Sequence, residues 1–132
     1  MAEREITPEE IQLMEDMFAR AHAAAKVIET YDQKRVDELI QAVAWSVVNL
    51  KTWKTIAYEA VEETGLGDPV AKVNKRDKAK GILRDALRAK SVGAIEEIPE
   101  KGIVKYAKPV GIIASLIPTT NPAITPVGQA IY

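Results

Sequence analysis

With 132 residues, 47% of them hydrophobic, the chain has material for one core and not for two, since independent domains commonly run to about 100–200 residues. Eighteen Lys and Arg against nineteen Asp and Glu leave a net charge of -1, so no overall field draws it to nucleic acid, anionic lipid or an acidic partner. The absence of cysteine excludes disulfides, thiolate metal sites and a cysteine nucleophile within these residues. The first residues lack an apolar leader and no apolar run reaches the roughly 18 residues of a membrane span, so a cytoplasmic protein is expected.

Thr7-Pro8-Glu9-Glu10 is a helix start: the Thr7 hydroxyl caps, Pro8 suits the first helical position, and Glu10 stands where a capping box places its carboxylate. Ile11, Met14, Phe18, Ala21 and Ala25 then recur at helical spacing up to Ile28, which predicts an amphipathic helix whose stripe faces a partner. Asp32 caps a second helix whose period runs from Val36 through Leu50 towards Trp53, Ile56 and Ala60, and Gly65-Leu66-Gly67 stops it. Asp68-Pro69 opens a third helical stretch reaching about Arg88. From Lys72 to Lys90 it carries eight Lys or Arg against two Asp, and this basic bias reads as a solvated face.

After Ser91 the pattern turns to strand. Ala94 to Ile98 is short and mixed, Pro99 and Gly102 punctuate, and Ile103 to Tyr106 alternates. Val110 to Ile117 is almost wholly apolar and ends at Pro118, as a parallel strand buried on both faces would. Ala123 to Ile131 suggests one more helix, with Thr125-Pro126 as a cap-and-proline pair. A buried parallel strand needs neighbours joined by crossover helices, and none is available here. The expectation is an α/β chain of several helices, a short strand pair and one buried strand, with the sheet incomplete and the protein cut short.

Lys108-Pro109-Val110-Gly111, the apolar run, and Pro118-Thr119-Thr120-Asn121-Pro122 together resemble the signature of the aldehyde dehydrogenase superfamily. The Thr-Thr-Asn-Pro form is similar to the CoA-acylating branch, and Glu62-Glu63-Thr64-Gly65 resembles a segment that ends a helix in that family. The resemblance implies the N-terminal part of a nucleotide-binding domain. Residues 1–101 would be its helical part, 102–109 a strand of the oligomerisation region, and 110–132 its first buried strand with the start of the next helix.

It further implies oxidation of a short aldehyde to acyl-CoA through a cysteine thioester, with NAD or NADP as cofactor, CoA as cosubstrate and a homo-oligomeric full-length protein. Asn121 would donate to the oxyanion, and Ile117, Pro118, Thr119 and Thr120 would line the nicotinamide end of the cofactor site. With no cysteine, the 132 residues alone are expected to be inactive. Independently of any family, Asn121 lies on a turn between two prolines, where an amide is a held donor; the plainer reading is an Asx-turn that bonds its own backbone.

Other motifs carry less. His22, the sole histidine, has no second ligand or nucleophile and reads as structural. Trp45 and Trp53, eight apart, fall near one helix face and read as core or subunit contacts. A freestanding helical interaction module is the competing reading; it accounts for the helices but not for Pro109 to Pro122. Neither nucleic acid nor membrane is expected as a partner.

Overall fold

The computed structural model describes residues 4–132, which divide into two units: residues 4–31 with Pro109–Ile113, and Asp32–Lys108 with Ala114–Tyr132. In the first unit, α1 spans Pro8–Ile28. Its capping box is complete. Thr7 Oγ1 accepts from the Glu10 backbone N–H at 3.3 Å, and Glu10 Oε2 accepts from the Thr7 N–H at 3.0 Å. The same Glu10 carboxylate pairs with Arg4. The expected apolar stripe is not buried: α1 has no buried residue, and Met14 is 65% exposed. His22 meets Phe18 edge to face at 4.7 Å, in keeping with a structural role.

The second unit is built on α2 (Gln33–Val48), α3 (Leu50–Thr64), α4 (Pro69–Asn74), α5 (Arg76–Ala86) and α6 (Ile124–Ile131). The long second helix expected from the period is two helices. Asn49 breaks it, because its side chain serves both ends: Nδ2 donates to the Trp45 and Ser46 carbonyls, and Oδ1 accepts from the Thr52 N–H at 3.0 Å. Gly65 ends α3 with φ +65°, a backbone that a Cβ disfavours. Asp68 starts α4 by accepting from the Ala71 N–H at 2.7 Å. The third stretch is likewise divided, at Lys75, into α4 and α5.

Ile40, Ala44 and Val48 of α2, Trp53 of α3, Ala79 of α5, and Val127 and Ile131 of α6 form the core. Arg76 Nε donates to the Val48 carbonyl at 2.6 Å, placing a cation at the C-terminus of α2. The two tryptophans do not share a face. Trp53 is 1% exposed and Trp45 69%, because the break at Asn49 resets the helical phase between them.

The strand pair is a hairpin of β1 (Ala94–Ile98) and β2 (Ile103–Tyr106), antiparallel, with Glu97 opposite Val104 and Ile98 opposite Ile103. A 3-10 turn, Pro99–Lys101, and Gly102 at φ +61° join them. The buried parallel strand is not formed. Residues 107–118 contain no strand, and Val110 and Leu116 are 83% and 98% exposed. A parallel strand is stabilised by neighbours on either side, and the sheet among the described residues has only β1 and β2. The chain is thus mixed helix and strand, compatible with part of an α/β fold. The cap expected at Thr125 is not used either: α6 begins at Ile124, where Ala123 is the cap residue and no side chain bonds the first turn. No helix of the described residues is long and apolar enough to cross a membrane.

Candidate functional site

Asn121 lies in the turn between Pro118 and α6. Its backbone is tied on both sides: its N–H donates to the Pro118 carbonyl at 3.1 Å, and its carbonyl accepts from the Thr125 N–H at 3.3 Å. The side chain is held from a distant part of the chain. Lys75 Nζ, at the junction of α4 and α5, donates to Asn121 Oδ1 at 2.6 Å. That bond engages the amide oxygen and leaves Nδ2 as the donor. One of its hydrogens reaches Thr120 Oγ1 at 3.3 Å, and the other has no partner among the described residues. Asn121 Oδ1 is thus engaged by Lys75 rather than by the backbone N–H two residues on, as it would be in an Asx-turn.

Of the remaining expected residues, Thr120 is gathered beside Asn121 while Ile117, Pro118 and Thr119 lie on an exposed run, with Ile117 43% exposed. Asn121 and Thr120 share a recess of about 10 Å³ with Lys72, Lys75, Trp53 and Ile124, roughly the room that one water needs. Trp53 organises this wall. Its indole Nε1 donates to the carbonyls of Lys72 (3.3 Å) and Val73 (3.0 Å) at the end of α4, where the Lys75 N–H also donates to them. The backbone of α4 is thereby set against α3, and Lys72 is carried into the interior at 9% exposure.

The sequence reading missed Lys72 and Lys75, which it placed on a solvated basic face. Lysine is ordinarily an exposed residue, and no period in a helix of six residues distinguishes an inward lysine from an outward one. The nearest local signal is Gly67, φ +86°, where an added Cβ would lie 3.2 Å from Lys72 Cε. Glu62 and Glu63 take no part in the recess. No group of three or more His, Cys, Asp or Glu suited to a metal occurs among the described residues.

Over 113 residues, 85% of its length, the chain is 46% identical to a sulfoacetaldehyde dehydrogenase of an Acholeplasma species, covering 23% of that protein. It is 38% identical over 122 residues, 92% of the chain, to the acylating sulfoacetaldehyde dehydrogenase of Bilophila wadsworthia, covering 26% of it. The acetylating succinate-semialdehyde dehydrogenase of Clostridium kluyveri is 36% identical over 119 residues, 89% of the chain and 26% of that enzyme. No family model matches the chain, and no solved structure matches it significantly. The chain is homologous to one segment of the CoA-acylating aldehyde dehydrogenases and spans about a quarter of the length of these relatives.

Proposed function

We propose that the chain forms part of an enzyme that oxidises a short aldehyde to its acyl-CoA, and that Asn121 supplies the hydrogen bond that holds the developing oxyanion. The observation that carries this reading is the Lys75 to Asn121 bond at 2.6 Å. An amide whose oxygen is engaged by an ammonium has one available orientation, with Nδ2 as the donor, and a donor that needs no reorganisation stabilises charge best. As a thiolate adds to the aldehyde carbon, the carbonyl oxygen gains negative charge, and Asn121 Nδ2–H would meet it there. Lys75 adds positive charge to the same surroundings. The thiolate is not among these 132 residues, which contain no cysteine.

A nicotinamide cofactor, when bound, accepts the hydride of the aldehyde carbon. The exposed apolar side chain of Ile117 and the turn that follows at Pro118, Thr119 and Thr120 suit the edge of a flat ring, at the kind of chain position where α/β proteins bind cofactors. Of these residues only the Thr120 hydroxyl makes a side-chain hydrogen bond, to Asn121. β2, exposed along its length, would serve as the subunit-joining strand in a homo-oligomer. The named substrates of the relatives, sulfoacetaldehyde and succinate semialdehyde, are short aldehydes with an anionic group, and the same class is proposed here. Similarity along most of the chain to such enzymes weighs against a freestanding interaction module.

The test is a hybrid enzyme in which this chain replaces the matched 122 residues of the Bilophila enzyme. NADH formation from sulfoacetaldehyde and CoA is expected, and Asn121→Ala should lower kcat by about 10²- to 10³-fold, the usual loss of one oxyanion donor. Equal kcat in hybrid and variant, with unchanged circular dichroism, sinks the assignment.

A further inference from the structure

The large residues of the α1 stripe stand in the open. Ile11, Met14, Phe18 and Ile28 are each at least 46% exposed, and no residue of the helix is buried. A contiguous apolar patch of this kind marks an interaction surface. Its seven-residue repeat is regular: Ile11, Phe18 and Ala25 hold one set of positions, and Met14, Ala21 and Ile28 the other, which is the spacing by which two helices pack side by side. Bulk is distributed unevenly along it. Large side chains fill the N-terminal half, and alanines stand at 21 and 25.

That distribution and the charges beside it select the occupant. When a second copy of α1 lies antiparallel, Met14 of one copy meets Ala25 of the other, Phe18 meets Ala21, and Ile11 meets Ile28. The inner layers then set a large side chain against a small one, which is how close packing is reached. Glu15 of each copy lies beside His22 of the other, where an imidazole N–H can donate to the carboxylate. Parallel pairing instead stacks Phe18 on Phe18 and sets alanine on alanine at 21 and 25, which opens gaps, and it brings Glu10 beside Glu15. We propose that the chain self-associates through α1 as an antiparallel, two-fold pair. Such an interface is the same patch on both copies, so it closes at the dimer. The stripe is short, which places the contact at the small end of specific interfaces, and a Kd on the order of 1–100 µM is expected. The surface is separate from β2, and the inference is independent of the oxidation reading.

Sedimentation velocity of the whole chain from about 1 to 500 µM should follow a monomer–dimer equilibrium. Phe18→Glu should hold the chain monomeric over that range with an unchanged far-UV circular dichroism spectrum, and Met14→Glu serves where Phe18→Glu alters the spectrum. Because the chain has no cysteine, disulfide trapping reads the direction of pairing. In the antiparallel pair, position 14 lies about 16 Å along the axis from its own counterpart but opposite position 25, within reach of a disulfide. Met14→Cys mixed with Ala25→Cys should therefore cross-link, while either variant alone should not. A chain that stays monomeric throughout overturns the proposal, as does one that binds anionic lipid vesicles as a monomer. A dimer that persists in Phe18→Glu and is lost in Val104→Lys also overturns it, since the contact then belongs to β2. So does a stronger cross-link of Met14→Cys with itself than with Ala25→Cys, the mark of a parallel pair.

Discussion

Trp53 and Trp45 are the same residue type eight positions apart, yet replacing each by Ala should have very different consequences. Trp53 is 1% exposed and its indole bonds two carbonyls of α4. Its removal exposes or empties an area of about 150–250 Å², worth roughly 4–6 kcal/mol at ~25 cal/mol per Å². Partial collapse returns some of this, and the two carbonyls lose the indole while keeping the Lys75 N–H, so about 3–5 kcal/mol of destabilisation is expected. Trp45 is 69% exposed, and its loss should stay within about 0.5 kcal/mol. Urea denaturation followed by far-UV circular dichroism reads both. For an m value near ~2 kcal/mol/M, the midpoint falls by on the order of 2 M for Trp53→Ala and by about 0.25 M for Trp45→Ala. Equal shifts for the two variants would falsify the assignment of Trp53 to the core and, with it, the account of how α4 is held.

Gly65→Ala should cost about 1–2 kcal/mol, because φ +65° is disfavoured by a Cβ although no atom lies within 4 Å of where it would stand; a thermal melt with an unchanged spectrum checks it. The Asp77 carboxyl is held below its ordinary value of 3.8 by the hydrogen bond from Lys80 and then by that ammonium's charge. A depressed folded pKa means that the pair's contribution is present above the ordinary carboxylate range and is lost as pH falls through the lowered value. Carboxyl-carbon NMR titration should return Asp77 towards 3.8 in Lys80→Ala, and the effect should fade in high salt because the group is fully exposed.

Much of the local structure was legible because its causes are local. Thr7, Asp32 and Asp68 start helices by bonding N–H groups three residues ahead, and Gly65 ends one through its own φ. Asn49 shows where period-counting failed. A continuous apolar stripe on both sides of it gave no sign that its amide would cap two helices at once. Val110 to Ile117 failed for another reason: apolar composition marks a segment that is stable when covered, and what covers it is a matter of neighbours.

Residue types and their order determined where capped helices begin, that residues 94–98 and 103–106 form a short strand pair, that the chain holds no nucleophilic cysteine, and which enzyme family it resembles. Tertiary structure decided which of two tryptophans is core, that Lys72 is buried, and how Asn121 is aimed. Each depends on contacts between residues far apart in sequence: 19 positions separate Trp53 from Lys72, and 46 separate Lys75 from Asn121. Short-range patterns encode hydrogen bonds within a turn of helix. They carry no record of which lysine a distant indole will draw inward, because that is settled only when α3 and α4 pack.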